Sequence, residues 1–384
     1  MSKNVPELRF KGFEDEWKEK KISDTLKIRH GKDQKLVAND LGKYPILGTG
    51  GIIGKSNEFL YDKESVLIGR KGTIDRPFYM NTPFWTVDTL FYSEIKKGFC
   101  AKFLYYSFQR INWKKYSEAS GVPSLSASTI ESIKYILPEL NEQEKITNFL
   151  SKVDSIIEKQ EKKVEYWNSY KKGMMQKIFS QKIRFKDKKG RDYPEWEEKK
   201  LGDISVKLTE KNKNFEIKNV ISNSAKNGLI EQNEIFDKDI ANKNNIDGYY
   251  IIENGDFVYN PRKSKEAPYG PINMFKLDYK GIVSPLYLCF RINKVINKNY
   301  IEYYFKSFSW HRYIYHNSDQ GVRHDRISIK DSEFMKIKIN LPCLKEQDRI
   351  ASFLLTIDNI IEKESKKLEE LKQWKKGLLQ QMFV

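Results

Sequence analysis

Cysteine is scarce in this chain: three in 384 residues, at positions 100, 289 and 343, with no Cys-x-x-Cys spacing. Histidine is nearly as rare, with four. That supply excludes a disulfide framework and a structural zinc cluster, and leaves a histidine nucleophile little to build on. No apolar run reaches the ~18 residues that a membrane-spanning helix needs. Residues 1–10 are polar, interrupted by Pro6, and lack the apolar stretch of a signal peptide. The expected compartment is the cytoplasm. Two nucleotide-handling signatures are also missing. The run Gly48-Thr49-Gly50-Gly51-Ile52-Ile53-Gly54-Lys55-Ser56 has Thr49 where a phosphate loop needs glycine, so it reads as a glycine-rich turn in a structural or DNA-facing loop. Asn260-Pro261-Arg262-Lys263 lacks the aromatic that would stack on a flipped base in amino-methyl transfer. No catalytic residue is expected, and no bound metal or cofactor.

What the chain has in excess is positive charge. Its 69 Lys and Arg against 52 Asp and Glu give +17. Such an excess fits a polyanionic partner, although a generally lysine-rich proteome would also produce it. At 39% hydrophobic residues the chain can bury real cores, and its length suits two or three domains.

The most specific signal is an internal repeat. Residues 137–179 match residues 341–383 without a gap at an offset of 204, with 21 of 43 positions identical. The match opens on Leu137-Pro138 … Glu142-Gln143 against Leu341-Pro342 … Glu346-Gln347. It closes on Lys171-Lys172-Gly173 against Lys375-Lys376-Gly377. A fainter match at an offset of 179 opens each half: Trp17 to Asp24 against Trp196 to Asp203, each preceded by a Phe-Lys pair. The middles of the two halves resist alignment, so the frame reads as repeated and the inserts as different.

The repeated segment is helical. From Ile146, steps of four and three give Ile, Leu, Val, Ile, Gln, Val, Trp, Lys, Met, Ile; from Ile350 they give Ile, Leu, Ile, Ile, Glu, Leu, Leu, Lys, Leu, Met. This is a coiled-coil seam. A helix over residues 142–179 would be ~57 Å long. Two such stripes in one chain are best buried against each other, antiparallel; the alternative is a zipper with a second chain. Polar seam positions Gln160, Glu364, Lys171 and Lys375 either fix register, or mark fraying or snorkelling lysine stems.

Between the helices, helical periodicity gives way to short β-rich runs at 65–69, 84–92, 251–259 and 282–291. Each set is followed by a short helix, near 101–111 and 300–308. The predicted fold is mixed α/β: two globular domains, 1–137 and 181–341, alternating with two long helices, 138–180 and 342–384. The helices carry little of the charge: residues 142–179 hold +2 and residues 346–383 hold zero, leaving +15 elsewhere. The candidate DNA-contacting residues are therefore in the globular segments. Lys55, Arg70, Lys71 and Arg76 surround Gly54, Gly69 and Gly72; Arg262, Lys263 and Lys265 follow Pro261; Arg323, His324 and Arg326 follow Gly321.

The duplicated frame, its Leu-Pro … Glu-Gln entrance and its Lys-Lys-Gly exit resemble the specificity subunits of type I restriction–modification systems, over essentially the whole chain. Ile68 to Thr73 followed by Pro83 to Thr89 is similar to one common variety of target-recognition domain. The resemblance implies two target-recognition domains, each reading half of a split double-stranded DNA site, with the helix pair setting the unread gap and docking partners. It implies a hetero-oligomer with two methyltransferase subunits using S-adenosylmethionine, and restriction subunits using ATP and magnesium. The dissimilar inserts imply an asymmetric site. The alternative is a coiled-coil scaffold whose basic domains bind RNA.

Overall fold

The computed structural model describes residues 4–213, 215–232, 246–319 and 325–384. They form two compact units: Met1–Lys162 with Ser365–Val384, and Lys163–Glu364.

In the first unit, β1 (Lys18–Lys21) leads through the one-turn helix α1 (Ile22–Thr25) into β2 (Leu26–Arg29). A hairpin of β3 (Tyr44–Gly48) and β4 (Gly51–Ser56) follows, then β5 (Ser65–Gly69), β6 (Phe78–Met80), β7 (Trp85–Thr86) and β8 (Leu90–Ile95). Next come α2 (Ala101–Phe108), α3 (Ala127–Ser132), β9 (Lys134–Leu137) and the long α4 (Leu140–Phe179). One sheet has the order β2-β8-β5-β6 and a second the order β4-β3-β7, with β3 parallel to β7. β5 reads Ser-Val-Leu-Ile-Gly and is buried throughout, as a strand covered on both faces must be. α2 turns Phe103, Leu104, Tyr106 and Phe108 into the core, where they meet Trp17, Phe91 and Trp113.

The second unit runs through β10 (Glu197–Lys200), α5 (Leu201–Ile204), β11 (Ser205–Leu208), β12 (Ile221–Ser224), β13 (Gly228–Glu231) and β14 (Tyr250–Ile252). β15 (Asp256–Tyr259), β16 (Ile272–Met274), β17 (Gly281–Val283) and β18 (Leu288–Ile292) come next. It closes with α6 (Lys298–Lys306), α7 (His311–Asn317), α8 (Asp331–Phe334), β19 (Lys338–Leu341) and α9 (Leu344–Met382). Its four-stranded sheet has the order β11-β18-β15-β16, the counterpart of β2-β8-β5-β6. β1 pairs with β9, and β10 with β19, in matching antiparallel register. The repeat therefore extends into the inserts, contrary to the reading of the sequence. Topology depends on which runs are apolar and where the chain turns, and those survive after residue identities have diverged.

The long helices span 40 and 39 residues, and α4 begins two residues before its expected start. Their pairing is antiparallel. In the first unit Ile146, Leu150, Val153 and Ile157 of α4 share a core with Leu378, Leu379 and Met382 of α9. In the second, Met175 and Ile178 share one with Ile350, Leu354 and Ile357. Ion pairs flank both seams, Lys372–Glu161 at 2.9 Å and Lys163–Glu364 at 2.8 Å. The apolar stripes are thus buried within one chain. Nor do the seam lysines snorkel to water. Lys375 meets Asp154 at 2.7 Å, and Lys171 pairs with Asp358.

The repeated Leu-Pro … Glu-Gln phrase locks each helix to its globular domain. Gln143 donates to the Pro138 carbonyl at 2.8 Å and accepts from the Cys100 amide at 3.1 Å, at the entrance of α2. Gln347 does the same with Pro342 and Asn297, at 2.7 and 3.0 Å, at the entrance of α6. The adjacent glutamates are buried and paired with arginine: Arg9 grips Glu142 with two bonds of 2.8 Å, and Arg184 reaches Glu346 at 3.0 Å. Hydrogen bonding to Glu346 holds the Arg184 guanidinium above its ordinary pKa.

Candidate nucleic-acid interface

In the first unit β5 ends at Gly69, where the chain folds back so tightly that a Cβ would lie 2.1 Å from the Thr73 carbonyl oxygen. Arg70 and Lys71 follow, both exposed. The Arg70 amide donates to the Thr89 carbonyl at 2.8 Å, and its guanidinium to the Asp88 carbonyl at 3.3 Å. A second segment is stitched across this loop. The Leu125 amide donates to the Arg70 carbonyl at 2.9 Å, the Gly72 amide to the Pro123 carbonyl at 2.8 Å, and Lys71 forms a β-bridge with Ser124.

The second unit repeats the stitch position for position. The Ile327 amide donates to the Pro261 carbonyl at 2.8 Å, the Lys263 amide to the Asp325 carbonyl at 2.9 Å, and Arg262 forms a β-bridge with Arg326. Arg70-Lys71-Gly72 thus corresponds to Pro261-Arg262-Lys263. Two clusters separated by some sixty residues in the sequence become one element here. Two arginines on paired backbone positions concentrate positive charge, which favours an anionic or guanine-bearing partner.

The candidates do not all share these loops. Lys55 is exposed on β4, opposite Pro45, and Arg76 is exposed beyond the fold-back, next to Asp75, which pairs with Lys114 at 2.9 Å. Lys265 is exposed two residues past Lys263. Arg323 and His324 lie outside the described residues. Sequence reasoning missed the polar groups around the loops. In the second unit the Asn260 side chain caps the Arg262 amide at 3.0 Å and donates to the Asn223 carbonyl at 3.0 Å. Asn273 donates to the Asn223 side chain at 2.7 Å. Burial pushes the nearby Tyr287 hydroxyl up, while a hydrogen bond with the Asn223 backbone and then the charges of Arg262 and Arg326 pull it back. In the first unit Arg70 and Lys71 line an open cleft with His30, Asp88, Glu118 and Ser126. Hydroxyl donors from Thr129 and Ser126 hold the Glu118 carboxyl below its usual range. Donors and acceptors side by side suit base edges as well as phosphates. These residues come from distant segments, so no sequence spacing marks them.

Among the described residues no group of three or more His, Cys, Asp or Glu could hold a metal ion, and no helix is long and apolar enough to cross a membrane. Residues 14–166 and 193–373 match the family model described as type I restriction modification DNA specificity domain. The chain belongs to that family. It is a DNA-binding specificity chain with two target-recognition domains, and the role it has in the family is recognition rather than catalysis. It is similar to the type I restriction enzyme MjaVIII specificity subunit of Methanocaldococcus jannaschii, 26% identical over 408 residues, covering 98% of this chain and 94% of that one. The putative MjaX specificity subunit of the same organism is 28% identical over 295 residues, covering 71% and 64%. The fold of the specificity chain resembles the crystal structure of the S subunit of a type I restriction–modification system from M. genitalium. The TM-score is 0.59 at 15% identity, over 99% of both chains.

Proposed function

We propose that this specificity chain reads a bipartite, asymmetric double-stranded DNA site, one half-site per target-recognition domain, with the helix pair fixing the unread gap. The observation that carries this is the stitched basic loop present once in each unit, on equivalent strands but with different side chains: Arg70 and Lys71 in one, Arg262 and Arg326 in the other. Equivalent position gives each domain the same approach to DNA, and different chemistry gives each its own bases. Lys55, Arg76, Lys263, Lys265, Arg323 and His324 supplement these contacts, chiefly on phosphates. The boundaries 1–137, 138–180, 181–341 and 342–384 serve as working limits of domains and spacers. The chain assembles with two methyltransferase subunits, which bring S-adenosylmethionine, and with restriction subunits, which use ATP and magnesium. Purified alone it should neither methylate nor cleave DNA.

The spacer role is tested by inserting one heptad into both α4 and α9. Seven residues keep the seam in phase and add ~10.5 Å to each helix, about three base pairs of rise at ~3.4 Å each. Sequencing the methylated sites should show a longer gap between unchanged half-sites, or loss of specific modification. Modification at the original gap with the original efficiency would overturn the spacer role.

A further inference from the structure

The β3–β4 hairpin turns through Gly48-Thr49-Gly50-Gly51, with almost no side-chain bulk. A Cβ on Gly50 or Gly51 would meet nothing within 4 Å, and Gly51 sits at φ +114°, where glycine alone is unstrained. Ile52 and Ile53 come next, 70% and 52% exposed. Leu47 pairs with Ile52 and Ile46 with Gly54, so Ile53 is the extra residue of a β-bulge. Bulges of this kind re-aim side chains.

The tip borders the Arg70–Lys71 loop. The Cβ position of Gly72 lies 3.6 Å from the Thr49 hydroxyl, and that of Gly48 lies 3.5 Å from Ile53 and 3.8 Å from Val87. Val87 precedes Asp88 and Thr89, whose carbonyls hold Arg70. The hairpin itself does not force the isoleucines outward. In the second unit the same sequence step, Gly228 at φ +73° followed by Leu229 and Ile230, leaves both side chains half-buried, with Leu229 against a core of Ile221, Val258 and Phe275.

We infer that the glycine tip of the first unit enters the major groove of its half-site and that Ile52 and Ile53 contact thymine methyl groups there. This rests on the DNA-reading role proposed above. A two-stranded β-ribbon fits the major groove, and the thymine C5-methyl is the base-edge group that an aliphatic side chain can recognise. Exposed Lys55, further along the same strand, is placed for a phosphate contact that holds such a ribbon in register, and the exposed Arg70 and Lys71 lie on the loop that the tip borders. This local positive charge favours a polyanion over a protein as the occupant of the patch. The first half-site then contains a T·A pair at a fixed position.

The test uses the full chain assembled with its modification subunits, and half-sites mapped by sequencing methylated DNA. Each thymine of the half-site is replaced by deoxyuridine, which removes a methyl group and no hydrogen-bonding group. One or two positions should each lose about fourfold in affinity, the worth of one buried methyl. Ile52→Ala and Ile53→Ala complexes should each bind more weakly and no longer distinguish thymine from uracil at the position that the replaced isoleucine contacts. A first half-site without thymine, indifference of the unsubstituted complex to uracil, or variants that still discriminate would each overturn the inference. So would variants that lose the modification subunits while the discrimination persists, which would assign the patch to a protein partner. Failure of the unsubstituted complex to prefer the mapped site over unrelated DNA would instead overturn the DNA-reading proposal itself.

Discussion

Lys375 on α9 lies 2.7 Å from Asp154 on α4, and the ring of Tyr106 lies beneath its ammonium group, 5.5 Å away. The Tyr106 hydroxyl donates to the other oxygen of Asp154 at 2.5 Å, so helix pair and globular domain meet at one carboxylate. Burial and the bond to Asp154 push the Tyr106 hydroxyl well above the usual tyrosine range. The second unit holds the same triad in Lys171, Asp358 and Tyr303. Register is thus stated twice in ionic terms, at seam positions where an apolar residue would pack in several alignments.

Exchanging the charges tests that account. Lys375→Asp alone places two carboxylates together in a half-dry seam and should cost about 2–4 kcal/mol. Adding Asp154→Lys should recover most of the loss. Urea unfolding of the unsubstituted chain, of Lys375→Asp, of Asp154→Lys and of the double variant gives the coupling directly. Equal stability of the single and double variants would show that the pair does not set register.

The two helix entrances should differ in strength. Glu346→Ala leaves Arg184 without its buried partner and removes the acceptor of the Trp196 indole, which donates to it at 3.0 Å. Glu142→Ala strands only Arg9. Each should cost about 3 kcal/mol, with Glu346→Ala the worse by about 1 kcal/mol for the extra hydrogen bond. Thermal melts of the two variants, compared side by side, would show it.

The basic loops should show themselves in salt dependence. Replacing Arg70 and Lys71 with alanine, or Arg262 and Lys263, should weaken DNA binding by the assembled complex. The slope of log affinity against log salt should fall by roughly one for each phosphate that is no longer neutralised. Where an arginine reads a base instead, discrimination at one position should drop by about 1–3 kcal/mol. Unchanged affinity and slope in a salt titration would return these residues to the ordinary surface.

Gly270 supports the second loop from below. It is buried at φ +84°, and a Cβ there would lie 2.1 Å from the Asn260 carbonyl oxygen. Gly270→Ala should displace the Asn260–Pro261 stem and cost about 1–3 kcal/mol through overpacking, with DNA affinity falling alongside. Retained affinity at lowered stability would mean that the loop does not depend on its stem.

The long helices, their antiparallel pairing and the two-domain order were legible in the sequence. Heptad periodicity is local, and a repeated stripe in one chain has few ways to leave water. The strands at β5, β8, β15 and β18 were legible for the same reason: short apolar runs between turn residues declare themselves. What only the tertiary structure decided are relations between distant residues of similar appearance. Nothing in the sequence pairs Asp154 with Lys375 rather than with a neighbouring lysine on its own helix, or marks Glu142 and Glu346 as buried among so many exposed glutamates. The equivalence of Arg70-Lys71-Gly72 with Pro261-Arg262-Lys263 was hidden because it lies in backbone hydrogen bonds, to Pro123–Leu125 in one unit and Asp325–Ile327 in the other. Backbone amides and carbonyls are the same in every residue, so a bridge built from them leaves almost no trace in side-chain identity.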